Sequence, residues 1–448
     1  YEIIVKLNKE ARQSAEDAGR TFLKSPATGR MISIADVADG IVMFEAPIFG
    51  VSVPLIVIWL IAGASFFTIF LGGINIRGFR HALRIVRGLE DDGDEPGDVS
   101  HFQALTTAVS GTVGVGNIAH VAVAVSVGGA GAAFWIVVAG LLGMASKFAE
   151  CTLGVKFRRE NPDGTISGGP MYFLEYGLAE RGWPVLGKSL AVYYGICVVF
   201  GAIGVGMFQA NQAFVQFVAA TGEQESFASG QGWTFGLFLA VSVAAVILGG
   251  IKVIARVTSG LVPAMAALYI TTGLYVIGTN IDRLPDALTR IVTEAFTPHG
   301  AVGGMLGVVV LGFRRAAFSN EAGIGSAAIA HSAAKTEYPV REGVVALLEP
   351  FIDTVVVCTI TALVITLTVY DPAMLNDGTI SGVELTSAAF ASVSIVCGVS
   401  EIPRYRSSTP VLHPRHLVFS TPPFLRPCLA AAAVVLHAGG RVCETAAR

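Results

Sequence analysis

The chain is 448 residues long, 53% hydrophobic and only 14% charged, whereas soluble domains carry about 25% charged residues. This deficit, spread over long apolar runs, excludes an ordinary soluble protein and predicts an integral membrane protein. The net charge of −3 gives no sign of a nucleic-acid partner. The six cysteines show no CxxC or Cys/His spacing, so neither a metal centre nor a disulfide framework is predicted.

The first residues, 1–49, mix charges and lack a clear apolar period, which predicts an extracytoplasmic N-terminal leader. Stretches of about 20 mostly apolar residues follow, the length that an α-helix needs to cross a bilayer. Helices are expected because lipid offers no partners for exposed backbone groups. The predicted spans are a leading transmembrane helix at 50–73, then 101–127, 131–155, 190–219, 233–250, 259–279, 302–330 and 343–370.

Basic residues are distributed unevenly between these spans. The loops 74–100, 156–189, 251–258 and 331–342 hold 13 lysines and arginines, and the intervening loops hold two. Because cytoplasmic loops carry the excess of Lys and Arg, we predict that 74–100 and 156–189 are cytoplasmic.

The stretch SGTVGVGNIAH (110–120) interrupts the first span after the leading helix. Three glycines and Asn117 lie close together there, and each glycine costs a helix roughly 1 kcal/mol relative to alanine. Irregular backbone at membrane depth is tolerated where it lines a cavity enclosed by protein. Glycines also let membrane helices pack closely, and for this stretch alone the two interpretations stay open.

A second interruption is RRAAFSNEAGIGSAAIAH (314–331), in the span that begins near 302. Ser319 and Asn320 lie there in otherwise apolar surroundings. Five predicted spans run from the first interrupted span to the helix before the second, so each interruption opens a unit. Paired interruptions at corresponding positions of two halves are typical of the binding site of a secondary transporter.

Two further polar groups need partners at membrane depth. Glu321 costs about 2.5–3.5 kcal/mol at a helix centre, so we expect it to be functional or to pair with Arg314 or Arg315. Gln209, in GMFQANQAF, either bonds a neighbouring helix or supplies a donor and an acceptor to a zwitterionic ligand.

Six blocks carry a resemblance to a known family: SHFQALTTAVSGTVGVGNIA, GLLGMASKFAECTLGVKFR, SGGPMYFLEYGL, GMFQANQAF, RRAAFSNEAGIGSAAIAHSAAKTEYPVREG and FIDTVVVCTITALVI. From about 50 to 390 the chain resembles the alanine or glycine:cation symporters (sodium:amino-acid symporters). The resemblance implies an all-α membrane fold with a five-plus-five inverted repeat of the leucine-transporter type and one extra leading helix. The first repeat is then 101–279, and the second begins within 302–390.

The resemblance also implies a function and a site. It implies Na⁺-coupled, sometimes H⁺-coupled, uptake of L-alanine, glycine and similar small neutral amino acids through the plasma membrane, the bacterial inner membrane, with no other cofactor and no nucleic acid. Carried over by position, the substrate would be bound by Thr112, Gly114, Gly116, Gln209, Phe318 and Asn320, with Phe318 closing over its side chain. The Na⁺ ligands would be Val113 through its carbonyl, Asn117 and Ser319.

The chain departs from the family pattern at two points within these blocks and their surroundings. It reads GNIAH where the family usually reads GNIAG, which places His120 one helical turn beyond the first break. That imidazole would crowd the intracellular exit, titrate near neutral pH or act as a packing change. The chain also has Ala130, in GGAGA, where the family usually reads GGPGA.

Composition changes abruptly near the end of the chain. Residues 391–448 are predicted to be a tail outside the family pattern, either disordered or produced by a shift of reading frame near 391–400, since six of the 19 prolines follow residue 400. With the second repeat incomplete, the alternative function is a non-transporting membrane protein that keeps the fold without a complete site. An enzyme is not predicted, because no His/Asp/Glu cluster has catalytic or metal-ligand spacing.

Overall fold

The computed structural model describes residues 45–48, 51–90, 95–221, 230–297, 304–370 and 382–392. The predicted leader up to residue 44 and the predicted tail from residue 393 lie outside these residues. The chain divides into two compact units, Tyr1–Trp59 and Leu60–Arg448.

The first unit contains an antiparallel hairpin of β1 (Glu45–Ile48) and β2 (Val51–Pro54). The helix of the predicted leading span therefore starts five residues later than position 50, at Leu55, and ends at Phe70. Val51 and Val53 favour the extended strand. A proline is well placed immediately before a helix, because its missing N–H needs no partner there.

Helices make up most of the described chain, and the only other strands in it are the short hairpin β3 (Arg159–Glu160) and β4 (Ile166–Ser167). The α-helices are α1 (Leu55–Phe70), α2 (Ile74–Arg77), α3 (Phe79–Val86), α4 (His101–Thr112), α5 (Val121–Gly128), α6 (Gly131–Lys156), α7 (Pro170–Ala179), α8 (Pro184–Ala220), α9 (Gly232–Ile247), α10 (Gly250–Thr279), α11 (Leu284–Phe296), α12 (Gly304–Asn320), α13 (Ser326–His331), α14 (Pro339–Ala346), α15 (Leu348–Pro350), α16 (Thr359–Thr368) and α17 (Val383–Ala391). Two π-helical turns, Gly116–His120 and Phe351–Cys358, and a 3₁₀ turn, Ile281–Arg283, complete the set.

Within the described residues, four helical runs are long and apolar enough to cross a membrane: Gly131–Lys156, Pro184–Val218, Gly250–Thr279 and Pro339–Thr368. A fifth crossing is formed by His101–Thr112 and Gly116–Gly128 if this bent pair counts as one span. Each exceeds the thickness of the hydrocarbon core at 1.5 Å per residue. The chain is a multi-pass membrane protein.

Several predicted loops contain helix, among them 74–100, which holds α2 and α3. Residues 251–258 are the start of α10, and the turn before them is at Leu248 and Gly249. Helices α7 and α11 lie within the predicted loops 156–189 and 280–301. Charged residues indicate where a chain leaves the hydrocarbon. A helix continues beyond that point wherever its backbone hydrogen bonds are satisfied, so the ends of the helices differ from the predicted ends of the spans.

Helix α6 is the centre of the packed core. Its glycines face neighbouring elements so closely that a Cβ at Gly140 would lie 2.7 Å from Thr354 Cγ2, and one at Gly143 would lie 3.0 Å from Ala322 Cβ. Small residues allow such approach between membrane helices. The same helix carries Lys147, which is fully buried and lies 3.1 Å from the carboxylate of the equally buried Glu349. Helix α6 therefore packs against the two segments, around Ala322 and Thr354, that contribute to the candidate site described below.

The segments before α4 and after α13 are paired. Val99 and Ala334 form a parallel bridge, and the N–H of Lys335 donates to the carbonyl of Val99 at 2.8 Å. Arg158 donates to the carbonyls of Ala334, at 2.6 Å, and Thr336, also at 2.6 Å. Burial lowers the pKa of the Arg158 guanidinium, although Glu342 nearby acts in the opposite direction.

A buried cluster of two histidines and one glutamate ties the same ends together. Glu342 is fully buried and accepts a hydrogen bond from Nδ1 of His331 at 2.5 Å and another from Nδ1 of His101. His101 is the first residue of α4 and His331 the last residue of α13. The start of the first interrupted span and the end of the second are thus fixed against each other.

Candidate functional site

The first break lies between α4 and the π-helical turn Gly116–His120. Val113 leaves the helix with extended dihedrals (φ −74°, ψ 107°), and the two halves meet at 52°. The N–H of Gly114 donates to Oδ1 of Asn117 at 2.8 Å. A side chain from the break itself therefore satisfies a backbone group that the interrupted helix leaves open.

The second break follows α12 and is built from left-handed backbone. Glu321, Gly323 and Gly325 have φ values of 52°, 94° and 93°. Glycine adopts such values without steric cost, whereas a residue with a Cβ rarely does. Oδ1 of Asn320 accepts a hydrogen bond from the N–H of Ala322 at 3.0 Å, which closes the turn.

The two breaks touch each other. A Cβ at Gly116 would lie 3.1 Å from Cα of Ser319, so a larger residue there would push the first break and the end of α12 apart by a few tenths of an ångström. Nδ2 of Asn117 donates to Oγ of Ser319 at 3.1 Å. The close packing predicted for the glycine-rich stretch is therefore present at Gly116, at the place where the helix is interrupted.

A polar junction connects both breaks to the π-helical turn Phe351–Cys358. It consists of Asn117, Ser319, Asn320, Asp353 and Thr354, each at most 2% exposed. Asp353 accepts hydrogen bonds from Asn117 Nδ2 at 2.7 Å and from Ser319 Oγ at 2.8 Å. Thr354 donates to Asp353 at 2.7 Å and accepts from Asn320 Nδ2 at 3.0 Å. π-Helical turns are frequent at functional sites.

The charge of the junction is unbalanced in the described part of the chain. The side chains that contact Asp353 there are the neutral Asn117, Ser319 and Thr354. A carboxylate removed from water without a cation nearby is costly. Asp353 therefore has no charged side chain as a hydrogen-bond partner among the described residues.

The predicted site residues fall into two groups. Thr112, Val113, Gly114, Gly116, Asn117, Ser319 and Asn320 lie in the breaks or the junction. Gln209 lies on α8, 9% exposed, and its Oε1 has no hydrogen-bond partner among the described residues. Phe318 lies beside the junction and is 52% exposed. Its ring meets that of His120 edge to face at 5.4 Å.

The expected partner of Glu321 is corrected by the structure. Its carboxylate accepts a hydrogen bond from Oγ of Ser326 at 2.5 Å. The positively charged side chain that attracts the Glu321 carboxylate is Lys147 of α6, not Arg314 or Arg315. Helix α12 ends at Asn320, so helical spacing no longer relates Glu321 to the arginines before it.

Sequence reasoning missed Asp353 and Thr354. The signal was present, since FIDTVVVC places a carboxylate inside an apolar run, and an ionisable residue at membrane depth indicates function by itself. Neither of the two interruptions includes this segment, so the spacing along the chain gave no reason to join it to them.

A multi-pass helical protein whose buried polar centre lies between two interrupted helices belongs to the class of membrane transporters. The chain matches the model of the sodium:alanine symporter family over residues 37–400, and it belongs to that family. The predicted family is thereby confirmed, and the chain is a transporter of the Na⁺-coupled amino-acid class rather than an enzyme.

Similar proteins carry names of the same kind. The chain is 39% identical over 349 residues to the sodium/alanine symporter AgcS of Methanococcus maripaludis, covering 77% of this chain and 74% of that protein. It is 36% identical over 355 residues to the amino-acid carrier protein AlsT of Bacillus subtilis, covering 76% and 70%. It is 35% identical over 339 residues to the probable sodium/glutamine symporter GlnT of Bacillus subtilis, covering 75% and 67%.

Proposed function

We propose that the protein takes up small neutral amino acids, L-alanine and glycine, by Na⁺-coupled symport with alternating access. The observation that carries the proposal is the Asp353 carboxylate, fully buried at the meeting point of the two breaks and bonded to neutral groups. A cation bound there relieves the cost of the buried charge. Because the same contacts fix both breaks, cation binding is linked to their geometry.

The cation site in this proposal is made of oxygen atoms. Hard cations prefer carboxylate, carbonyl and hydroxyl oxygens. The predicted ligands are the Val113 carbonyl, Asn117 and Ser319, and we add Asp353, which lies 2.8 Å from Ser319 Oγ. A proton on Asp353 is the second candidate for the coupling ion, since it also neutralises the carboxylate.

The amino-acid site in this proposal lies along the first break. The substrate carboxylate is held near Gly116, where the start of the second half-helix leaves N–H groups open. Thr112 borders this position as the last residue of α4, and the Gly114 N–H is already bonded to Asn117. Gln209 offers its unpartnered Oε1 to the substrate ammonium, and Phe318 covers the side chain. Asn320 supports the site from behind, since both ends of its carboxamide are bonded.

The proposal includes the wider arrangement of the chain. We place the repeats at 101–279 and within 302–390, with 74–100 and 156–189 on the cytoplasmic side of the bacterial inner membrane. The excess of basic residues in alternate loops supports this orientation. The meeting of the two breaks at one junction supports the inverted repeat, in which half-helix ends from both repeats line one site.

Uptake by the full chain in proteoliposomes tests the proposal. With an inward Na⁺ gradient we expect labelled alanine and glycine to accumulate above equilibrium, and with choline in place of Na⁺ we expect none. Accumulation driven by an imposed H⁺ gradient alone would replace Na⁺ by a proton. No accumulation under either gradient, in protein that is folded and correctly inserted, would favour the alternative of a non-transporting membrane protein.

A further inference from the structure

His120 joins three elements around the proposed substrate site. It is the last residue of the π-helical turn after the first break. Its ring lies 5.4 Å from that of Phe318 on α12, edge to face, and 6.1 Å from that of Phe208 on α8, nearly parallel. Phe318 precedes Ser319 of the junction, and Phe208 precedes Gln209. The imidazole therefore lies between the ring of Phe318, which is proposed to cover the substrate, and that of Phe208, the sequence neighbour of the proposed substrate residue Gln209.

The ring is held in this position by packing. Nδ1 of His120 is enclosed and has no hydrogen-bond partner among the described residues. An enclosed polar atom without a partner is unfavourable, so hydrogen bonding at this nitrogen does not explain the placement. Contacts between aromatic rings at such distances are favourable beyond the burial of the rings. The consequence of the placement is that the imidazole occupies volume between two phenylalanines.

The two phenylalanines that contact this ring are only partly covered by the rest of the protein. Phe318 and Phe208 are 52% and 43% exposed, although both contact the imidazole. The uncovered faces of the two rings are apolar, as is most of the lining of small-molecule sites.

We propose that His120 sets the size limit of the transported amino acid, restricting its side chain to a hydrogen atom or a methyl group. The inference rests on the proposed function, because it assigns a specificity-determining role within the same substrate site. The imidazole backs Phe318 and fills the space that a longer side chain would enter. Discrimination by apolar volume amounts to about 10–200-fold for one methylene group.

Two matched variants separate volume from hydrogen bonding. H120A removes the ring, and H120F keeps a ring of similar shape without nitrogen atoms. For wild type and both variants in proteoliposomes, we would measure Na⁺-driven uptake of alanine and of leucine, together with the apparent melting temperature. We expect H120A to raise the leucine-to-alanine uptake ratio about 10-fold or more, and H120F to keep the wild-type ratio.

The outcomes separate this inference from the proposed function. If wild type accumulates alanine and H120A keeps the wild-type ratio, the size limit lies elsewhere. If H120F broadens selectivity as much as H120A, the nitrogen atoms matter and the account based on volume is wrong. If wild type accumulates no alanine, the proposed function itself fails. Should H120A lose its melting transition, H120V, which keeps part of the volume, tests the same ratio, with an intermediate value expected and an unchanged value contradicting the proposal.

Discussion

The two breaks interrupt their helices by different physical means. At the first, Val113 has dihedrals that any residue adopts, and Asn117 caps the open N–H of Gly114. At the second, Glu321, Gly323 and Gly325 are all left-handed. Converting the first break into helix requires rotation about ψ of Val113 and the loss of a few hydrogen bonds, whereas the second requires three residues to cross a steric barrier. The first break is thus adaptable, and the second is fixed by its backbone.

The difference matters because both breaks are bonded to one turn. Asn117 reaches Asp353, and Asn320 reaches Thr354, the next residue. A change in the charge state of Asp353 therefore acts on an adaptable partner and a rigid partner at once. We expect the first break to move against the second when a cation binds or leaves.

The largest effect is expected from D353N, which keeps the shape of the side chain and removes its charge. If the carboxylate balances the coupling cation, its loss resembles the breaking of a buried ion pair, about 3–5 kcal/mol. We expect the Na⁺ concentration for half-maximal alanine uptake to rise by roughly 100-fold or more, measured from uptake against external Na⁺.

The matched control is E294Q, an acid-to-amide change on α11. Glu294 accepts hydrogen bonds from the Tyr370 hydroxyl at 2.8 Å and from the Ala130 N–H at 2.9 Å, outside the junction. Its Na⁺ dependence should equal that of wild type. An equal rise for both variants would show that D353N acts through general destabilisation.

The variants G325A and G116A compare the two breaks directly, and we expect smaller effects from them than from D353N. At Gly325 an added Cβ meets a φ of 93° and lies 2.6 Å from Pro170 Cγ, so dihedral strain of about 1–3 kcal/mol adds to overpacking. At Gly116 the cost is overpacking alone, about 1–3 kcal/mol. We expect G325A to lower the apparent melting temperature of the purified full chain more than G116A does.

G164A isolates the dihedral cost in this comparison. Gly164 has a φ of 79° and open space around its added Cβ, in the exposed turn between β3 and β4. We expect G164A to lower the free energy of unfolding by about 1–2 kcal/mol. If G116A proved more destabilising than G325A, the second break would not be the more rigid of the two.

The sequence predicts the interruptions but not their mechanisms. Glycines and asparagines inside apolar runs indicate both breaks, and the first is confirmed as a 52° bend. Which glycines serve close packing and which serve left-handed backbone depends on the neighbouring chain, as Gly116 and Gly325 show. Asp353 lies in a continuous helical run, so interruptions in the sequence do not indicate it. Only the fold brings it to Asn117 and Ser319.

Alanine binding to the purified full chain, measured at a series of Na⁺ concentrations with choline maintaining ionic strength, tests the central claim most directly. If one junction links the cation to both breaks, Na⁺ lowers the Kd for alanine, and alanine lowers the Kd for Na⁺ by the same factor, because coupling between two sites is reciprocal. An alanine Kd that is identical in Na⁺ and in choline would contradict the account.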